Sequence, residues 1–569
     1  MYVLGLSCFY HDAAAAILKD GMLVAAAEEE RFSRKKHDSS FPEHSIRFCL
    51  KEAGIEAREL DYVVFYEKPF VKFERIVKTT LQTVPASLDV FRRGMNSWLL
   101  DKLWVEEIIG SELGVPKEKI FFADHHQSHA ASAYYCSGFD DAAILTVDGV
   151  GEWCCGSIGW GRGSEMHLTH EIRFPHSLGL LYSAFTAFLG FQVNEGEYKV
   201  MGMAPYGKPK YVEKVRQVVR SYEDGSLWLD LRYFSFHHST ERSFSRKFVE
   251  LFGPPANPKQ ADHPDPYYCD VAASIQQVTE EILLSMARHA LKKSGKDKLC
   301  MAGGVALNSV ANWRILQETP AQALFVQPAA GDSGGALGAA LYLYHGMLGQ
   351  PRKFHMQHAY WGAEAGTGMA VGFCRANNIR NEVFEDQDKL LDRVVGLIAA
   401  GKVVGWQQGR FEWGPRALGN RSILADARNP EMKDIVNRKI KFREPFRPFA
   451  PSVLAEAGEE YFELPEKARL PAKFMLVVPP VRMEQREKIP AVTHVDGSGR
   501  LQLVEDSANP RYAALIRRFK QATGVPVVLN TSFNLKGEPV VNTPAEAHST
   551  FSRSGMDALV MGDCLVTKG

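Results

Sequence analysis

Long apolar runs are missing from this sequence; no stretch approaches the roughly 20 residues needed to cross a bilayer, so no membrane association is expected. Net charge is missing too. The 67 Lys and Arg residues balance 67 Asp and Glu. A nucleic-acid-binding protein usually carries a basic excess or stripe, so no nucleic acid is expected as a partner, although local phosphate pockets remain open. Cysteine is sparse and unpatterned: nine residues, an odd number, with no C-x-x-C spacing. That excludes a disulfide framework or a zinc ribbon, and buried reduced thiols are expected. The opening Met1-Tyr-Val-Leu-Gly-Leu-Ser-Cys8 lacks the basic and apolar regions of a signal peptide, so the expected compartment is the cytoplasm.

What is present reads as an ordinary globular chain, 45% hydrophobic and 24% charged. At 569 residues it exceeds a single core, and two or three domains follow. Residues 2–6 and 13–18 read as strands, followed by a turn at Asp20-Gly21 and a third strand over 22–27. A similar strand, corner, strand arrangement recurs at 142–147, Asp148-Gly149-Val150-Gly151-Glu152 and 153–160, which suggests an internal duplication.

Two further glycine corners lead from strands into helices, one at Gly303-Gly304 before Asn308 and one at Gly331-Asp332-Ser333-Gly334. Helix starts behind such corners expose N–H groups that suit anions, though they can equally serve strand-to-helix packing. Periodicity disappears between Gly346 and Gly368, the expected linker, and helix, strand and glycine-loop patterns resume after it.

The strongest chemical signal in the first half is Asp124-His125-His126-Gln127-Ser128-His129. Asp124 suits a helix start. His125 and His129 then share one face at the spacing two imidazoles need to hold a metal, with Asp148 and Asp332 at corners where carboxylate ligands are often placed. The bland alternative is a pair of buried histidines bonded to backbone. Gln127 stands where a metalloprotease would have Glu, so no peptide hydrolysis is read. His11-Asp12 offers a histidine at a corner, either a base for a hydroxyl or a satisfied loop residue. The run Glu28 to His37 reads as a solvated charged turn, or as a loop that grips a phosphate.

The second half is denser in cations. Arg410, Arg416 and Arg421 stand among glycines, and Lys439, Lys441, Arg443 and Arg447 follow between aromatics and prolines. Arginine forks in rigid loops suit phosphates. The apolar run 525–529 delivers Asn530, Thr531, Ser532 and Asn534 at a strand end, where sites in α/β sheets are built.

Taken in order, the segments around His11-Asp12, Glu28 to His37, Asp124 to His129, Glu197 to Gly207, Gly303 to Asn308, Ala330 to Gly334, Gly414 to Ser422, Phe446 to Pro451 and Leu529 to Asn534 span nearly the whole chain. Together they resemble the NodU/CmcH family of O-carbamoyltransferases. The resemblance implies an α/β protein with a sugar-kinase/Hsp70/actin-like domain over 1–352, similar to threonylcarbamoyl synthases, and a YrdC-like α/β domain over 362–569. It implies that the second domain forms carbamoyladenylate from ATP, with its Mg2+, and carbamoyl phosphate. The first domain would then pass the carbamoyl group to a hydroxylated small-molecule acceptor, as in antibiotic biosynthesis, beside a divalent metal, iron by expectation.

Carried over residue by residue, His125, His129, Asp148 and Asp332 would be the metal ligands, and His11 the catalytic residue with Lys36 nearby. Lys199, Gly303, Gly304 and Asn308 would bind substrate or nucleotide in the first domain. Arg416 and Lys441 would act in activation, with Arg447, Arg500, Asn530 and Ser532 holding ATP and carbamoyl phosphate. Hydroxyl attack on a carbamoyl carbon needs a base and stabilisation of developing charge, and adenylation needs cations spread over several phosphates. A tRNA threonylcarbamoyladenosine-type enzyme would share both domains but should be basic. A non-catalytic nucleotide-binding regulator would leave the histidine pair and arginine loops without a role.

Overall fold

The computed structural model describes residues 1–100, 102–257 and 265–568. The chain divides into two compact units, one formed by Met1–Glu29 and Ser39–Met356, the other by Glu30–Asp38 and Gln357–Gly569. The division after Met356 falls inside the stretch read as a linker. The short segment Glu30–Asp38, which lies on the first-domain side in sequence, clusters with the second unit.

The first unit contains two five-stranded sheets among the described residues. One holds β1 (Tyr2–Ser7), β2 (Ala14–Lys19), β3 (Met22–Glu28), β4 (Tyr62–Phe65) and β5 (Ile120–Phe122). The other holds β6 (Asp141–Val147), β7 (Cys154–Arg162), β8 (Glu165–Arg173), β9 (Lys298–Ala302) and β10 (Ala323–Val326). Their orders are β3-β2-β1-β4-β5 and β8-β7-β6-β9-β10. In both, the first three strands form an antiparallel meander, and the fourth and fifth add in parallel to the first. The repeat visible in sequence as two hairpins is therefore a repeat of whole sheets. This doubled mixed sheet agrees with the kinase-like α/β fold expected of the first domain.

The fourth and the fifth strand of each sheet are each followed by a helix: α1 (Pro69–Thr83) follows β4, α2 (His125–Tyr134) follows β5, α3 (Ser309–Glu318) follows β9 and α4 (Asp332–Leu341) follows β10. Every residue of α4 is buried, although its sequence Asp-Ser-Gly-Gly-Ala-Leu-Gly-Ala-Ala-Leu is a poor helix former at each glycine. The small residues serve close packing. A Cβ on Gly338 would overlap the Ser128 carbonyl of α2, and one on Gly5 of β1 would overlap the Ala336 carbonyl of α4. With backbones this near, the first turns of α2 and α4 arrive side by side.

The second unit is built on an eight-stranded mixed sheet among the described residues. Its strands are β11 (Glu382–Val383), β12 (Val404–Gln407), β13 (Arg421–Asp426), β14 (Ala450–Leu454), β15 (Gln502–Val504), β16 (Val527–Ser532), β17 (Ala558–Met561) and β18 (Cys564–Thr567). They run in the order β11-β18-β17-β12-β13-β16-β14-β15, which places β16, the strand carrying Asn530 and Ser532, between β13 and β14. All nine cysteines are buried. No described helix is long and apolar enough to cross a membrane.

Candidate active site

The duplicated sheets explain how residues far apart in sequence meet. Each sheet contributes the corner after its first strand, carrying His11 and Asp12 after β1 and Asp148 after β6. Each also contributes the first turn of the helix after its fifth strand, carrying His125 and His129 on α2 and Asp332 on α4. One ligand atom from each of His125, His129, Asp148 and Asp332 lies within 4.8 Å of the others. His125 Nε2 is 3.1 Å from Asp148 Oδ2 and 3.6 Å from Asp332 Oδ1. His129 Nε2 is 3.6 Å from each of those oxygens. Donors about 2.1 Å from one ion stand roughly 3.0–3.5 Å apart, so these separations fit a single cation.

Burial supports the same fit. His125, His129 and Asp332 are each 1% exposed, and neither carboxylate oxygen of Asp332 has a hydrogen-bond donor. A buried carboxylate without donors is costly unless it meets a charge. Burial pushes the Asp148 carboxyl up, but hydrogen bonds from His125 and His129 hold it well below its usual range. His129 is lowered by burial and raised more by both aspartates, to about 9. His126 points away, its Nδ1 2.6 Å from the Thr146 hydroxyl.

The surrounding groups fix these side chains. Gly304 N–H donates to Asp148 Oδ1 at 2.9 Å, so the glycine corner read as a phosphate cradle orients a carboxylate instead. Gly303 holds that corner at φ +93°, against the Val147 backbone, where a Cβ would overlap. Asn308 is committed elsewhere: its side chain caps α3 through Ala311 N–H and exchanges hydrogen bonds with Gln276. Lys199 lies in the helix Glu197–Met203 with its ammonium 5.5 Å from the Phe191 ring. Asp124 precedes α2 but its side chain does not cap it; it pairs with Lys68 at 2.9 Å. Buried Glu152 takes the capping role, accepting the His125 N–H at 3.0 Å.

His11 stands at the edge of this centre, Nε2 3.7 Å from Asp332 and Nδ1 2.9 Å from Asp12. Phe9 and Asp12 flank it at φ +70° and +52°, a left-handed backbone that non-glycine residues rarely adopt and that collects at functional corners. Burial lowers the His11 pKa, while Asp332 and the Asp12 hydrogen bond raise it to about 9. A dication on Asp332 would offset that attraction and favour the neutral ring.

In the second unit Lys441 is buried and donates to four oxygens: Ser532 O at 2.8 Å and Oγ at 3.3 Å, and Asn534 O at 2.8 Å and Oδ1 at 2.7 Å. Burial first, then the charges of Arg443, Arg447 and Lys36, push its pKa well down. The four oxygens oppose this, since they are best served by a fully protonated amine. Lys36 thus bears on Lys441, on the segment that clusters with the second unit. Arg447 lies 3.8 Å from Glu444.

The charged run Glu28 to His37 is not a solvated turn. Glu28, Glu29, Glu30 and Arg31 are buried; Glu29 accepts from Ser45 N–H, and Arg34 donates to the carbonyls of Pro539 and Val540.

Arg421 is fully buried and donates to the carbonyls of Gln408, Gly409, Asn420 and Ala363, and Arg410 to those of Trp361 and Gly362, so both hold the fold. Glu412 accepts N–H groups of Leu418, Asn420 and Arg421 and so shapes the loop bearing Arg416. Asn530 is likewise internal, donating to Ala417 O, Ser452 Oγ and Gln502 Oε1. Arg500 lies by His494, whose pKa burial pushes down to about 4 with Arg500 adding to the shift.

Sequence reasoning passed over Glu67, whose carboxylate stands 3.8 Å from His125 Nδ1, and Lys72, which binds Glu67 at 2.6 Å. The available signal was position, because Glu67 comes just after parallel strand β4.

A twice-built α/β unit with a buried two-histidine, two-aspartate cluster, joined on one chain to a second α/β unit with several clustered cations, defines a class of two-unit α/β proteins. The chain belongs to the carbamoyltransferase family. A family profile described as Carbamoyltransferase N-terminus matches residues 2–341, and one described as Carbamoyltransferase C-terminus matches residues 395–568. The chain is 45% identical over 601 aligned positions to an uncharacterized protein of Synechocystis sp., covering 100% of this chain and 97% of the other. It is 39% identical to nodulation protein NolNO of Sinorhizobium fredii, covering 98% of this chain and 79% of that one. Among solved structures, a ROK hexokinase from Thermus thermophilus aligns with 61% of this chain and 100% of its own at 16% identity and a TM-score of 0.28.

Proposed function

We propose that the protein is an ATP-dependent O-carbamoyltransferase, forming carbamoyladenylate from ATP and carbamoyl phosphate in its second unit and transferring the carbamoyl group to a hydroxyl of a small-molecule acceptor in its first. The observation that carries this reading is the convergence of His125, His129, Asp148 and Asp332 with His11 beside them, in a chain of the carbamoyltransferase family. Two imidazoles and two carboxylates suit iron and other divalent ions. When bound, such an ion supplies Lewis-acid stabilisation of the oxygen charge that develops on the carbamoyl group.

His11 performs the proton work. Asp12 accepts the Nδ1–H and fixes the tautomer, which leaves Nε2 bare to take the proton of the acceptor hydroxyl as its oxygen attacks the carbamoyl carbon. The carbon–oxygen bond to the adenylate phosphate breaks and AMP leaves. Asp148 and Asp332, oriented by Gly304 N–H and by the first turn of α4, keep the site's charges in place. In the second unit, Arg416, Lys441, Arg447 and Lys36 supply cations for the phosphates of ATP, with Mg2+, and of carbamoyl phosphate. Lys441 also ties Ser532 to Asn534, so it sets the shape of the strand end as well as its charge.

The test is mass spectrometry of a panel of hydroxylated sugars and natural products incubated with the protein, ATP and carbamoyl phosphate. The reading requires a carbamoylated product that depends on both co-substrates. Pyrophosphate release without transfer to any acceptor, or product formation without ATP, would overturn it.

A further inference from the structure

The reaction above leaves one set of buried charges unused. Lys72 and Arg75 lie three residues apart on α1 and so share a face. Lys72 donates to Glu67 at 2.6 Å and sits 4.5 Å above the Tyr10 ring, and Glu67 stands 3.8 Å from Nδ1 of the ligand histidine His125. Arg75 is 8% exposed and rests on the Phe174 ring at 4.9 Å. Among the described residues it makes no hydrogen bond, and its Nη1 is buried without a partner.

Carboxylates are at hand, yet none is spent on it. Glu67 is taken by Lys72, and Glu152 accepts the N–H groups of Lys68 and His125. Burying a guanidinium without an acceptor costs several kcal/mol, and an aliphatic side chain would fill the same space without that cost.

We propose that Arg75, with Lys72 beside it, is the seat of an oxyanion on the ligand handled at the His125–His129–Asp148–Asp332 centre. A guanidinium fork matches phosphate or carboxylate oxygens in two parallel hydrogen bonds. The oxyanion belongs either to the phosphate of the carbamoyl donor or to an acidic group on the acceptor. This assignment rests on the carbamoyl-transfer reading for the identity of the ligand, but not for the existence of the seat.

The experiment is calorimetric titration of the full-length, metal-loaded protein with AMP, inorganic phosphate and glucuronate, in the wild type and in Arg75→Met, Arg75→Gln and Lys441→Ala. The expected result is binding of at least one probe that persists in Lys441→Ala and weakens about ten- to a hundredfold in Arg75→Met, the range of charged hydrogen bonds. Pyrophosphate release should be unchanged in both Arg75 variants, which also reports that they fold. Loss of AMP or phosphate binding assigns the seat to the donor, and loss of glucuronate binding assigns it to an acidic acceptor. If Arg75→Met does not fold, Arg75→Gln decides by the same criterion. Unaltered affinity for every probe, or no binding that survives Lys441→Ala, overturns the seat. A wild type that binds through Arg75 yet carbamoylates nothing removes the transfer reading and keeps the seat. Carbamoylation by Arg75→Gln at wild-type KM and probe affinity does the reverse.

Discussion

The Nε2 atoms of His125 and His129 lie 3.0 Å apart, and the same two atoms face Asp148 and Asp332 at 3.1 to 3.6 Å. Only one hydrogen fits between two ring nitrogens at that distance, and it satisfies neither oxygen of Asp332. A divalent cation would satisfy all four side chains at once.

Replacing His129 by Ala should abolish stoichiometric metal and carbamoyl transfer, while pyrophosphate release by the second unit continues. Elemental analysis of the purified variant is the check. Full metal occupancy would remove His129 from the ligand set.

Metal should stabilise the first unit. Returning a divalent ion to stripped protein at about a hundred times its Kd should add about 2.7 kcal/mol to the unfolding free energy. Asp332→Asn should lose most of that gain. Thermal melts with and without metal measure it, and an equal gain in the variant would place the bound ion elsewhere.

Gly338→Ala tests how α4 is seated. The added methyl would overlap the backbone carbonyl of Ser128, which cannot swing aside as a side chain could. A loss of about 1–3 kcal/mol is expected, as for other overpacked cores, together with weaker metal binding because Asp332 moves with α4. An unchanged melt with unchanged metal affinity would show that the two helices tolerate separation.

In the second unit, Lys441→Ala and Arg447→Ala should both suppress ATP-dependent pyrophosphate release, but they should differ in stability. Lys441 holds Ser532 and Asn534 through four oxygens, so its loss should also destabilise the unit by about 1–3 kcal/mol. Pyrophosphate assays beside denaturant melts separate the effects, and normal release by Lys441→Ala would count against its role in activation.

Arg421→Met should act on stability through a different route. Its guanidinium donates to four main-chain carbonyls in a fully buried position, and removing it leaves those acceptors unmet. A destabilisation of about 3 kcal/mol or more is expected. A variant as stable as the wild type with weakened ATP binding would return Arg421 to the phosphate site.

Local pattern was enough for much of this protein. Apolar runs bounded by turns or glycine corners marked β1, β2, β3, β6, β7 and β16, because a strand's burial and its turn residues are written in consecutive positions. The four-residue spacing of His125 and His129 put both on one helical face, because helix geometry alone requires it. Order and motif content pointed to the family. What only the tertiary structure decided is which distant side chains meet and which charges are already spent. Asp148 and Asp332 are 184 positions apart (332 − 148) and converge because two equivalent sheets place equivalent corners together. Arg416 and Arg421 look alike in sequence, yet Arg421 is consumed by carbonyls that fold around it, and Asn308 and Asn530 are consumed by Gln276 and Gln502. The acidic and basic run after Ala27 gave no sign of burial, because its partners, Ser45 for Glu29 and Pro539 and Val540 for Arg34, lie elsewhere in the sequence. Hydrogen-bond partners and burial depend on long-range packing, and no periodicity in neighbouring residues reports them.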